Sequence, residues 1–569
     1  MLEILNIELN KIFQILNYDK KFAVFQYSDR PTLSDFQSNC AMPLAKILHF
    51  TPFEIASNIT EELKKISYFS VVSIDGPGFI NVTLKDNFII DYLNKIVGDE
   101  KLGYRNNDKK RVITLDYGSP NVAKELHVGH LRSIIIGESL KRIFTFNGDK
   151  VIGDDHLGDW GTNMGMVIEG IRNKYPDIKV FEENFNGDRI DDLDLRPSDL
   201  LDLYQYSNKR AKDDNVFFQQ VQDTTKLLQD GYKPYRVLWK YFWDISIKDI
   251  NEVYAMFDTI HDIIQGESYY HEEIGDMIKE LEGNGKLVES EGAKVIDITD
   301  TGMPPLLVVK SNGSYMYQST DLATCRLHRR VNNPDLMLYV VDFRQSLHFK
   351  QLFESAKRCG YLDDSHTAEH ISYGTMNGKD GKPFKTKSGD LVKLRDLVND
   401  MISVIKQKSS IDDEKVIRSI AIACLKFADL VNYRESSYVF DIDSFTNYEG
   451  KTGAYILYSL VRINSILEKL SVKEGALTII KTKEERDLLF ELLKFIDTIK
   501  ISILKRAPHF LAEYVYNIAK KFNSFYVTSP ISTEQDIDYK KSKIAILNIV
   551  KKHIKTCLEL LAINEVNKM

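Results

Sequence analysis

The sequence predicts a multidomain α/β protein with three parts: an N-terminal α+β domain, a Rossmann-like parallel-sheet domain with an insertion, and a C-terminal all-helical domain. Short apolar runs alternate with helical patterns between residues 111 and 400, which is typical of a parallel sheet covered by helices. Helical periodicity dominates from residue 410 onward. The length of 569 residues suits three or four domains, and we place their boundaries at 1–105, 106–409 and 410–569.

The N-terminal domain is predicted from two helical patterns followed by two strands. The helices are expected at 2–16 and 53–66, and the strands at 68–74 and 79–84. The sequence Asp75-Gly76-Pro77-Gly78 between the strands is typical of a turn, because Gly tolerates positive φ and Pro fixes φ. The polar segment 101–110 is interpreted as the linker to the next domain.

The middle domain is predicted from five short apolar runs, and the C-terminal domain from five long helical patterns. The expected strands are 112–115, 151–153, 306–309, 337–341 and 370–374. The expected C-terminal helices are 416–430, 452–470, 484–504, 511–525 and 541–561. Between the second and third strands, residues 171–290 are polar and helical, so we interpret them as an insertion whose acidic segment 182–199 is exposed.

Composition excludes several classes of protein. The net charge of −7 leaves no global basic field, so a nucleic-acid surface must come from local clusters of Lys and Arg. The five cysteines form no CxxC pair, so we expect free thiols in a cytoplasmic protein. No apolar run approaches the roughly 20 residues of a membrane span, and the N-terminus does not resemble a secretory signal. The sequence also lacks a GxGxxG, a P-loop and an HExxH motif.

The strongest local signal is His127-Val128-Gly129-His130, which follows a predicted buried strand and opens a predicted helix. A helix N-terminus binds anions, because its free backbone N–H groups and the helix dipole point at the ligand. Two histidines add side-chain donors, and the glycine allows close approach of the backbone. The tetrapeptide alone fits equally well a turn with two exposed histidines.

A loop rich in lysine, residues 378–389, is a second candidate phosphate site. It reads GKDGKPFKTKSG and contains Lys379, Lys382, Lys385 and Lys387. Lysines in a mobile loop can follow phosphate charge as it moves during a reaction. The alternative is a charged surface turn, but the loop follows the last predicted strand, where parallel sheets bind ligands.

Carboxylates and amides near predicted strand ends form a third candidate site, which suits a guanidinium or ammonium ligand. Asp116 ends the first strand, and Asp321 and Gln345 flank a later one. The alternatives are a turn residue for Asp116 and a helix N-cap for Asp321. The nearby segment 157–162, LGDWGT, is interpreted either as a tight loop against a ligand or as a turn anchored by buried Trp160.

These motifs, taken together and in order, resemble the class I aminoacyl-tRNA synthetases, and specifically the arginyl-tRNA synthetases of bacterial type. The resemblance covers nearly the whole chain. It rests on the segments GPGFINVTL, SPNVAKELHVGHLRS, HLGDWGTNMGM, YQSTDLATCRLHRR, LYVVDFRQSLHFKQLF, HISYGTMNGKDGKPFKTKSGDLVKL, CLKFADLVNYRESSYVFDIDSFTNYEGKTGAYILYSLVRI and LAEYVYNIAKKFNSFY. It implies that the middle domain is catalytic, that the helical domain binds the anticodon, and that the N-terminal domain contacts tRNA.

The resemblance also implies a two-step reaction in which ATP activates L-arginine and the arginyl group passes to the 2′-hydroxyl of the terminal adenosine of tRNA(Arg). Mg²⁺ is expected with ATP, with no dedicated metal site on the protein. The chain is expected to act as a cytoplasmic monomer, away from membranes. Arginine activation is expected to require bound tRNA.

The resemblance carries roles onto individual residues. The residues expected to contribute to catalysis are His127, His130, Lys124, Lys385 and Lys387. The residues expected to contact ATP are His127, Gly129, His130, Tyr373, Gly374 and Lys385. The residues expected to shape the arginine pocket are Asp116, Asn121, His127, Tyr317, Asp321 and Gln345, with Tyr317 and Asp321 facing the guanidinium. The sequence FKTKSG stands where many class I enzymes have Lys-Met-Ser-Lys-Ser, which leaves open which lysine acts on the phosphates.

Two other functions compete with this interpretation. A small-molecule nucleotidylyltransferase also uses His-x-Gly-His, but the helical third at 410–569 argues against it. A tRNA-binding protein that has lost catalysis is disfavoured by the retained His127, His130, Asn121 and Asp321.

Overall fold

The computed structural model describes residues 1–106, 108–311, 313, 315, 317–382, 384, 392–409, 411–470 and 474–569. Within these residues the predicted multidomain α/β class is confirmed: along the chain, an antiparallel N-terminal sheet is followed by a parallel sheet and then by a helical C-terminal domain. None of the described helices combines the length and the apolar character that crossing a membrane requires.

The N-terminal domain combines four helices and one turn of helix with an antiparallel sheet in the order β1-β2-β4-β3. Its elements are α1 Leu2–Ile15, β1 Gln26–Tyr27, β2 Phe36–Ser38, α2 Ala41–Leu48, α3 Pro52–Leu63, β3 Phe69–Asp75, β4 Phe79–Leu84 and α4 Asp86–Val97. Helix α3 begins at a capping box, in which the Thr51 hydroxyl accepts from the Glu54 N–H and the Glu54 carboxylate accepts from the Thr51 N–H. The predicted strands and helices of this domain are therefore present.

The middle domain is built on a parallel sheet in the order β12-β11-β5-β6-β7. Its elements are β5 Val112–Asp116, α5 Val128–Asn147, β6 Lys150–Leu157, α6 Thr162–Lys174, α7 Pro197–Asp213, α8 Asn215–Gln229, α9 Lys233–Met256, β7 Ile263–Gly266, α10 His271–Gly283, β8 Val288–Ser290, β9 Ala293–Ile296, β10 Leu306–Val309, α11 Tyr317–Val331, β11 Leu336–Tyr339, α12 Ser346–Arg358, β12 Thr367–His370, β13 Met376–Asn377 and α13 Leu394–Lys408. Strand β5 lies at the centre, so its last residue, Asp116, is at the middle of the carboxyl edge of the sheet.

Strand β12, Thr367–His370, lies before the predicted range 370–374 and overlaps it at one residue, and two other strands differ from the prediction in the sheet that they join. Strand β7 lies inside the segment predicted as a helical insertion, and it forms an edge of the parallel sheet beside β6. Strand β10 was expected in that sheet, but it pairs with β9 in a separate antiparallel sheet. Both strands are only four residues long, and runs this short carry too little periodicity to reveal their partners.

The C-terminal domain is helical, as predicted. Its elements are α14 Glu414–Leu430, β14 Tyr438–Val439, α15 Ile442–Phe445, α16 Gly453–Lys469, α17 Lys483–Leu492, α18 Phe495–Lys505, α19 His509–Thr528 and α20 Ile537–Leu560. The single helix predicted at 484–504 is two helices, because Leu493 and Lys494 turn more tightly, with i to i−3 hydrogen bonds to Phe490 and Glu491.

Helix α5 is held against the C-terminal domain at two levels. Near its start, the Arg132 guanidinium lies 2.9 Å from the Asp429 carboxylate of α14, and both side chains are buried. Near its end, the Ser139 hydroxyl donates to the Leu560 carbonyl at 3.0 Å, and Arg142 donates to the Glu559 carbonyl at 3.1 Å. These carbonyls belong to the last turn of α20, where the carbonyls are left over from the i to i−4 pattern of the helix and the Glu559 carbonyl also accepts from the Ala562 N–H at 3.0 Å. The sheet domain and the helical domain therefore share α5.

The buried pair makes a testable prediction. Replacing Asp429 by Ala leaves the Arg132 charge buried without its carboxylate, so we expect the free energy of unfolding in urea to fall by about 3 kcal/mol. The matched control is the exposed pair of Lys451 and Glu513, 2.6 Å apart, where Glu513→Ala should cost less than about 0.5 kcal/mol. Equal losses in the two variants would contradict the prediction.

Candidate functional site

The His-x-Gly-His segment forms the start of α5, where His127 is the N-cap in an extended conformation. The Gly129 N–H donates to Nδ1 of His127 at 3.0 Å, and the His127 N–H donates to Nδ1 of His130 at 3.2 Å. The two rings stack with their centroids 4.1 Å apart. The histidines therefore cap the helix with one nitrogen each and leave the other nitrogen for a ligand.

The hydrogen bonds also fix the proton on each ring. A backbone N–H can only donate, so Nδ1 of both histidines is unprotonated and Nε2 carries the proton of the neutral ring. Burial lowers the pKa of His127, and the nearby Lys124 lowers it further. Burial and the neighbouring His127 lower the pKa of His130 to about 3. At neutral pH both rings are therefore neutral N–H donors beside a helix N-terminus, an arrangement that suits an anionic ligand.

The Lys124 side chain lies against α7. Its ammonium nitrogen lies 4.2 Å from the centre of the Tyr204 ring of α7, a cation–π distance. Its charge nevertheless contributes to the low pKa of both histidines. In this structure, the effect of Lys124 on the two histidines is electrostatic: its positive charge disfavours a second positive charge on either ring.

The segment that follows the lysine loop is hydrogen-bonded to the N-terminus of α5. The Val128 N–H donates to the Val392 carbonyl at 2.9 Å, and the Leu394 N–H donates to the Leu126 carbonyl at 3.0 Å. At its near end, strand β13 pairs with β14. Lys385 and Lys387, predicted to act on phosphate, lie outside the described residues. The lysine loop thus leaves from β13 and returns beside His127.

A cavity of about 270 Å³ opens at the carboxyl edge of the sheet. Its walls come from the ends of β5 and β6, the loops after them, and the starts of α11 and α12. It is lined by Asp116, Ser119, Asn121, His156, Gly158, Glu267, Tyr270, Thr320, Asp321, Val341, Gln345, His348 and Phe349. Four of the residues predicted for the arginine pocket, Asp116, Asn121, Asp321 and Gln345, therefore line one cavity. Tyr317 begins α11, and its side chain lies outside the described part of the chain.

Three carboxylates give the cavity its negative character. Burial raises the pKa of Asp116 to about 6, and burial together with Asp159 and Asp321 raises the pKa of Glu267 to about 7. The third, Asp321, lies with Oδ2 at 2.6 Å from Nε2 of His348 on α12. Carboxylates held partly out of water in one small cavity favour a ligand with separated positive charges.

Sequence reasoning gave no site role to four polar residues of the cavity: His156, Glu267, Tyr270 and His348. Glu267 and Tyr270 lie in a helical turn after β7, within the segment predicted as an insertion. His156 lies two residues before Gly158, and His348 lies three residues after Gln345, so both are next to residues that were predicted to belong to the site. A signal existed for His156, since it immediately precedes the Gly-Asp-Trp loop at the end of a strand.

A histidine–aspartate cluster lies beneath the cavity. Asp154, His156 and His328 bring their oxygen and nitrogen atoms within 4.8 Å of one another. The Asp154 carboxylate is 3.0 Å from His156 Nε2 and 2.7 Å from His328 Nε2, which are direct hydrogen-bond distances. We therefore interpret the cluster as hydrogen-bonded pairs and not as a metal centre.

The Gly-Asp-Trp loop serves both the cavity and the fold. The Asp159 carboxylate accepts from the Ser268 N–H at 2.9 Å and from its hydroxyl at 2.6 Å, which fixes the turn that carries Glu267. Trp160 is buried and stacks edge-on against Trp239. The interpretation as a turn anchored by buried Trp160 is therefore confirmed, and the interpretation as a loop against a ligand stays a prediction, with Gly158 in the wall of the cavity.

Gly158 of this loop makes a further prediction. A Cβ at Gly158 would lie 2.2 Å from Oδ1 of Asn121, whereas a Cβ at Gly161 would meet nothing within 4 Å. We expect Gly158→Ala to displace Asn121 and to raise the KM for the ligand of the cavity about tenfold, with the KM for nucleotide unchanged. Gly161→Ala is the matched control and should match the wild type; equal effects of the two variants in steady-state kinetics would refute the role of Asn121.

Tyr373 and Gly374, predicted to contact ATP, do not line this cavity. Tyr373 is buried, and its ring centre lies 5.8 Å from the Arg132 guanidinium carbon of α5. The Gly374 N–H donates to the Arg434 carbonyl at 2.9 Å, and a Cβ there would approach the Ser436 backbone to 2.8 Å. Both residues therefore pack the strand end that leads into the lysine loop.

Three family models match the chain in the order of its domains. An arginyl-tRNA synthetase N-terminal domain matches residues 1–84, a class I (R) tRNA synthetase catalytic domain matches 92–442, and a DALR anticodon-binding domain matches 456–569. The catalytic match thus extends beyond residue 409, through α14 and β14.

Relatives and solved structures agree with these matches over the full length. The chain is 39% identical to the arginine–tRNA ligase of Alkaliphilus oremlandii, with 98% of each chain covered, and 37% identical to that of Agathobacter rectalis, with 100% of each covered. The structure is similar to that of Plasmodium falciparum arginyl-tRNA synthetase, with a TM-score of 0.82, 27% identity and full coverage of both chains. The fold is also that of the Thermus thermophilus arginyl-tRNA synthetase, with a TM-score of 0.78, 18% identity and full coverage of both chains.

Proposed function

This chain belongs to the class I arginyl-tRNA synthetase family and is an arginine–tRNA ligase, and on that premise we propose that the cavity at the carboxyl edge of its sheet binds L-arginine. The observation that supports this most strongly is the set of three carboxylates, Asp116, Glu267 and Asp321, around one small cavity. Arginine carries a planar guanidinium at one end and an ammonium at the other, and carboxylates bind both as charge-assisted acceptors. We assign Asp321 to the guanidinium, and Asn121 and Gln345 to the polar end of the ligand.

We propose that ATP lies beside arginine, with its phosphates at the start of α5. The Nε2–H groups of His127 and His130 would donate to phosphate oxygens as the arginine carboxylate attacks the α-phosphate. The products of this step are arginyl-adenylate and pyrophosphate. The lysine loop, which returns beside His127, would cover the departing pyrophosphate. The 2′-hydroxyl of the terminal adenosine would then attack the carbonyl carbon of arginyl-adenylate, and AMP would leave.

We propose that Mg²⁺ enters as the metal complex of ATP. Glu125, the carboxylate nearest to the histidines along the chain, is paired with Lys393 at 2.5 Å, so it is not available as a ligand here. The ion supplies charge neutralisation to the phosphates when it is bound.

We further propose that tRNA(Arg) spans the C-terminal helical domain and the N-terminal domain, that the chain acts as a monomer, and that it works in the cytoplasm. The anticodon-binding match at 456–569 supports the first point. All five cysteines are free, which suits a reducing compartment.

An arginine-dependent ATP–pyrophosphate exchange assay, run with and without tRNA, tests the proposed function. We expect exchange with arginine and tRNA present, and none with lysine in place of arginine. A nucleotidylyltransferase would exchange only with its own acceptor and would show no dependence on arginine, and a catalytically inactive tRNA-binding protein would not exchange at all. Either of those outcomes would overturn the proposal.

The proposed pocket also predicts how arginine binding depends on pH. The pKa of Asp116 is raised to about 6 and that of Glu267 to about 7, so both carboxylates take up protons as the pH falls through this range. Arginine then loses counter-charge, and we expect its Kd to rise about tenfold between pH 8 and pH 6 in calorimetry. Glu267→Gln should flatten the part of the profile near pH 7; a wild-type Kd that is constant from pH 8 to pH 6 would contradict the assignment.

A further inference from the structure

His156 lies on β6 between two carboxylates, and each of its ring nitrogens faces an oxygen atom. Nδ1 is 3.9 Å from Oδ2 of Asp116, and Nε2 is 3.0 Å from Oδ2 of Asp154. The Tyr270 hydroxyl is also 3.0 Å from Nε2, and it can donate to the Gln265 amide oxygen at 3.1 Å while accepting from His156. The 3.0 Å contact is a hydrogen bond to Asp154, whereas 3.9 Å is too long for one, so His156 acts on Asp116 through the positive charge that only the doubly protonated ring carries.

The groups around His156 are predominantly acidic. Those that face it or act on its charge are Asp154 and Asp155 of its own strand, Asp116 of β5, Asp321 and His328 of α11, and Glu267 and Tyr270 of the turn after β7. The remaining basic group, His328, accepts from the Asn332 amide at Nδ1 and lies on the far side of Asp154. Burial alone lowers the pKa of His156, but Asp154 and Asp116 outweigh burial and raise it to about 10.

We propose that His156 is a permanent imidazolium in the wall of the arginine pocket, and that it acts as a positioning residue by keeping the Asp116 carboxylate ionised and directed at the bound ligand. This proposal rests on the proposed function, because it assumes that the ligand is arginine. His156 itself lines the cavity. Its positive charge repels other cations, so the positive groups of the ligand should lie away from this side of the pocket.

The physical reason is that Asp116 would otherwise bind a proton. Burial, Asp154 and Asp321 all raise the pKa of Asp116, and His156 is the strongest influence that lowers it. A neutral residue at position 156 therefore leaves Asp116 protonated near neutral pH, and a protonated carboxyl cannot serve as counter-charge to an ammonium or guanidinium. The effect of such a residue must vanish once the pH is high enough to ionise Asp116 again.

His156→Gln tests this, with the Kd for arginine measured by calorimetry at pH 7 and pH 9. We expect the variant to bind about tenfold more weakly than the wild type at pH 7 and within about threefold of it at pH 9. The control is His366→Gln, which removes a histidine paired with Asp363 at 2.8 Å just before β12, at the amino edge of the sheet. The control should bind like the wild type at both pH values.

The wild-type enzyme supplies a second measurement, which decides the question even if the variant does not fold. Calorimetry in two buffers of different ionisation enthalpy gives the number of protons released when arginine binds. At pH 8 we expect fewer than about 0.3 protons, because Asp116 is already ionised. Release of about one proton would mean that Asp116 is protonated in the empty pocket, and it would overturn the proposal.

The outcomes separate the role of His156 from the function itself. A wild type that does not bind arginine at pH 9 would overturn the proposed function. A wild type that binds, together with a His156→Gln variant that is weakened equally at pH 7 and pH 9 or not at all, would overturn the role of His156 alone.

Discussion

Replacing His130 by Ala is expected to lower the rate of arginyl-adenylate formation by about 10²- to 10³-fold, the loss typical of removing a donor aimed at developing negative charge. The substitution removes the Nε2–H donor and also the Nδ1 acceptor that caps the His127 N–H. The rate should be measured in single turnovers, with arginine, ATP and tRNA all saturating, so that binding does not contribute.

Two substitutions separate these contributions. An Asn at position 130 has a side-chain oxygen near the place of Nδ1, so it retains the cap and loses the distal donor. A Gln has its amide nitrogen near the place of Nε2, so it restores a donor. We expect His130→Asn to be as slow as His130→Ala and His130→Gln to recover part of the rate. An Asn variant at the wild-type rate would assign His130 to helix capping instead of phosphate chemistry.

Replacing Asp321 by Ala is expected to raise the KM for arginine by about 10²-fold while the KM for ATP changes little, because a buried charge-assisted hydrogen bond is lost at one substrate only. The Asp321 carboxylate lies in the cavity wall, 2.6 Å from His348. Asp321→Asn keeps the size and one acceptor, so its effect isolates the charge.

The steady-state KM values for both substrates should be measured in parallel for the two variants. We expect the Asn variant to show most of the loss, because the guanidinium needs a full counter-charge in this partly dehydrated cavity. An unchanged KM for arginine in the Ala variant would remove Asp321 from the pocket. Equal increases for arginine and ATP would indicate a general disturbance of the sheet edge.

The sequence predicts the fold well where periodicity is long, and the site well where strand ends carry polar residues. Asp116 and Asp321 are about 200 residues apart, yet they line one cavity because Asp116 ends β5 and Asp321 lies on the helix that leads to the neighbouring β11. That convergence follows from the rule that parallel strands end at one edge. Strand β7 is missed because Ile263 and Ile264 are its only apolar residues.

The charge states of the site could not be predicted, because they depend on burial that only the folded chain provides. His130 and His156 are the same residue type at the edge of one sheet. Burial beside another histidine lowers the pKa of His130 to about 3, whereas two carboxylates raise that of His156 to about 10. Glu267 was missed for the related reason that Asp159 positions it through Ser268, a contact between distant segments.

Helix α5 connects two parts of the enzyme, because it carries the histidines at its start and contacts α20 near its end. Its histidines and the Ser139 contact with α20 are 12 residues apart, which is about 18 Å along a helix axis. A tilt of about 3° at the α20 end would move the histidines by about 1 Å, which is the scale on which catalytic alignment is lost. A ligand of the helical domain that shifted α20 would therefore also move the histidines, so we expect binding at that domain to affect the rate of the reaction at the start of α5.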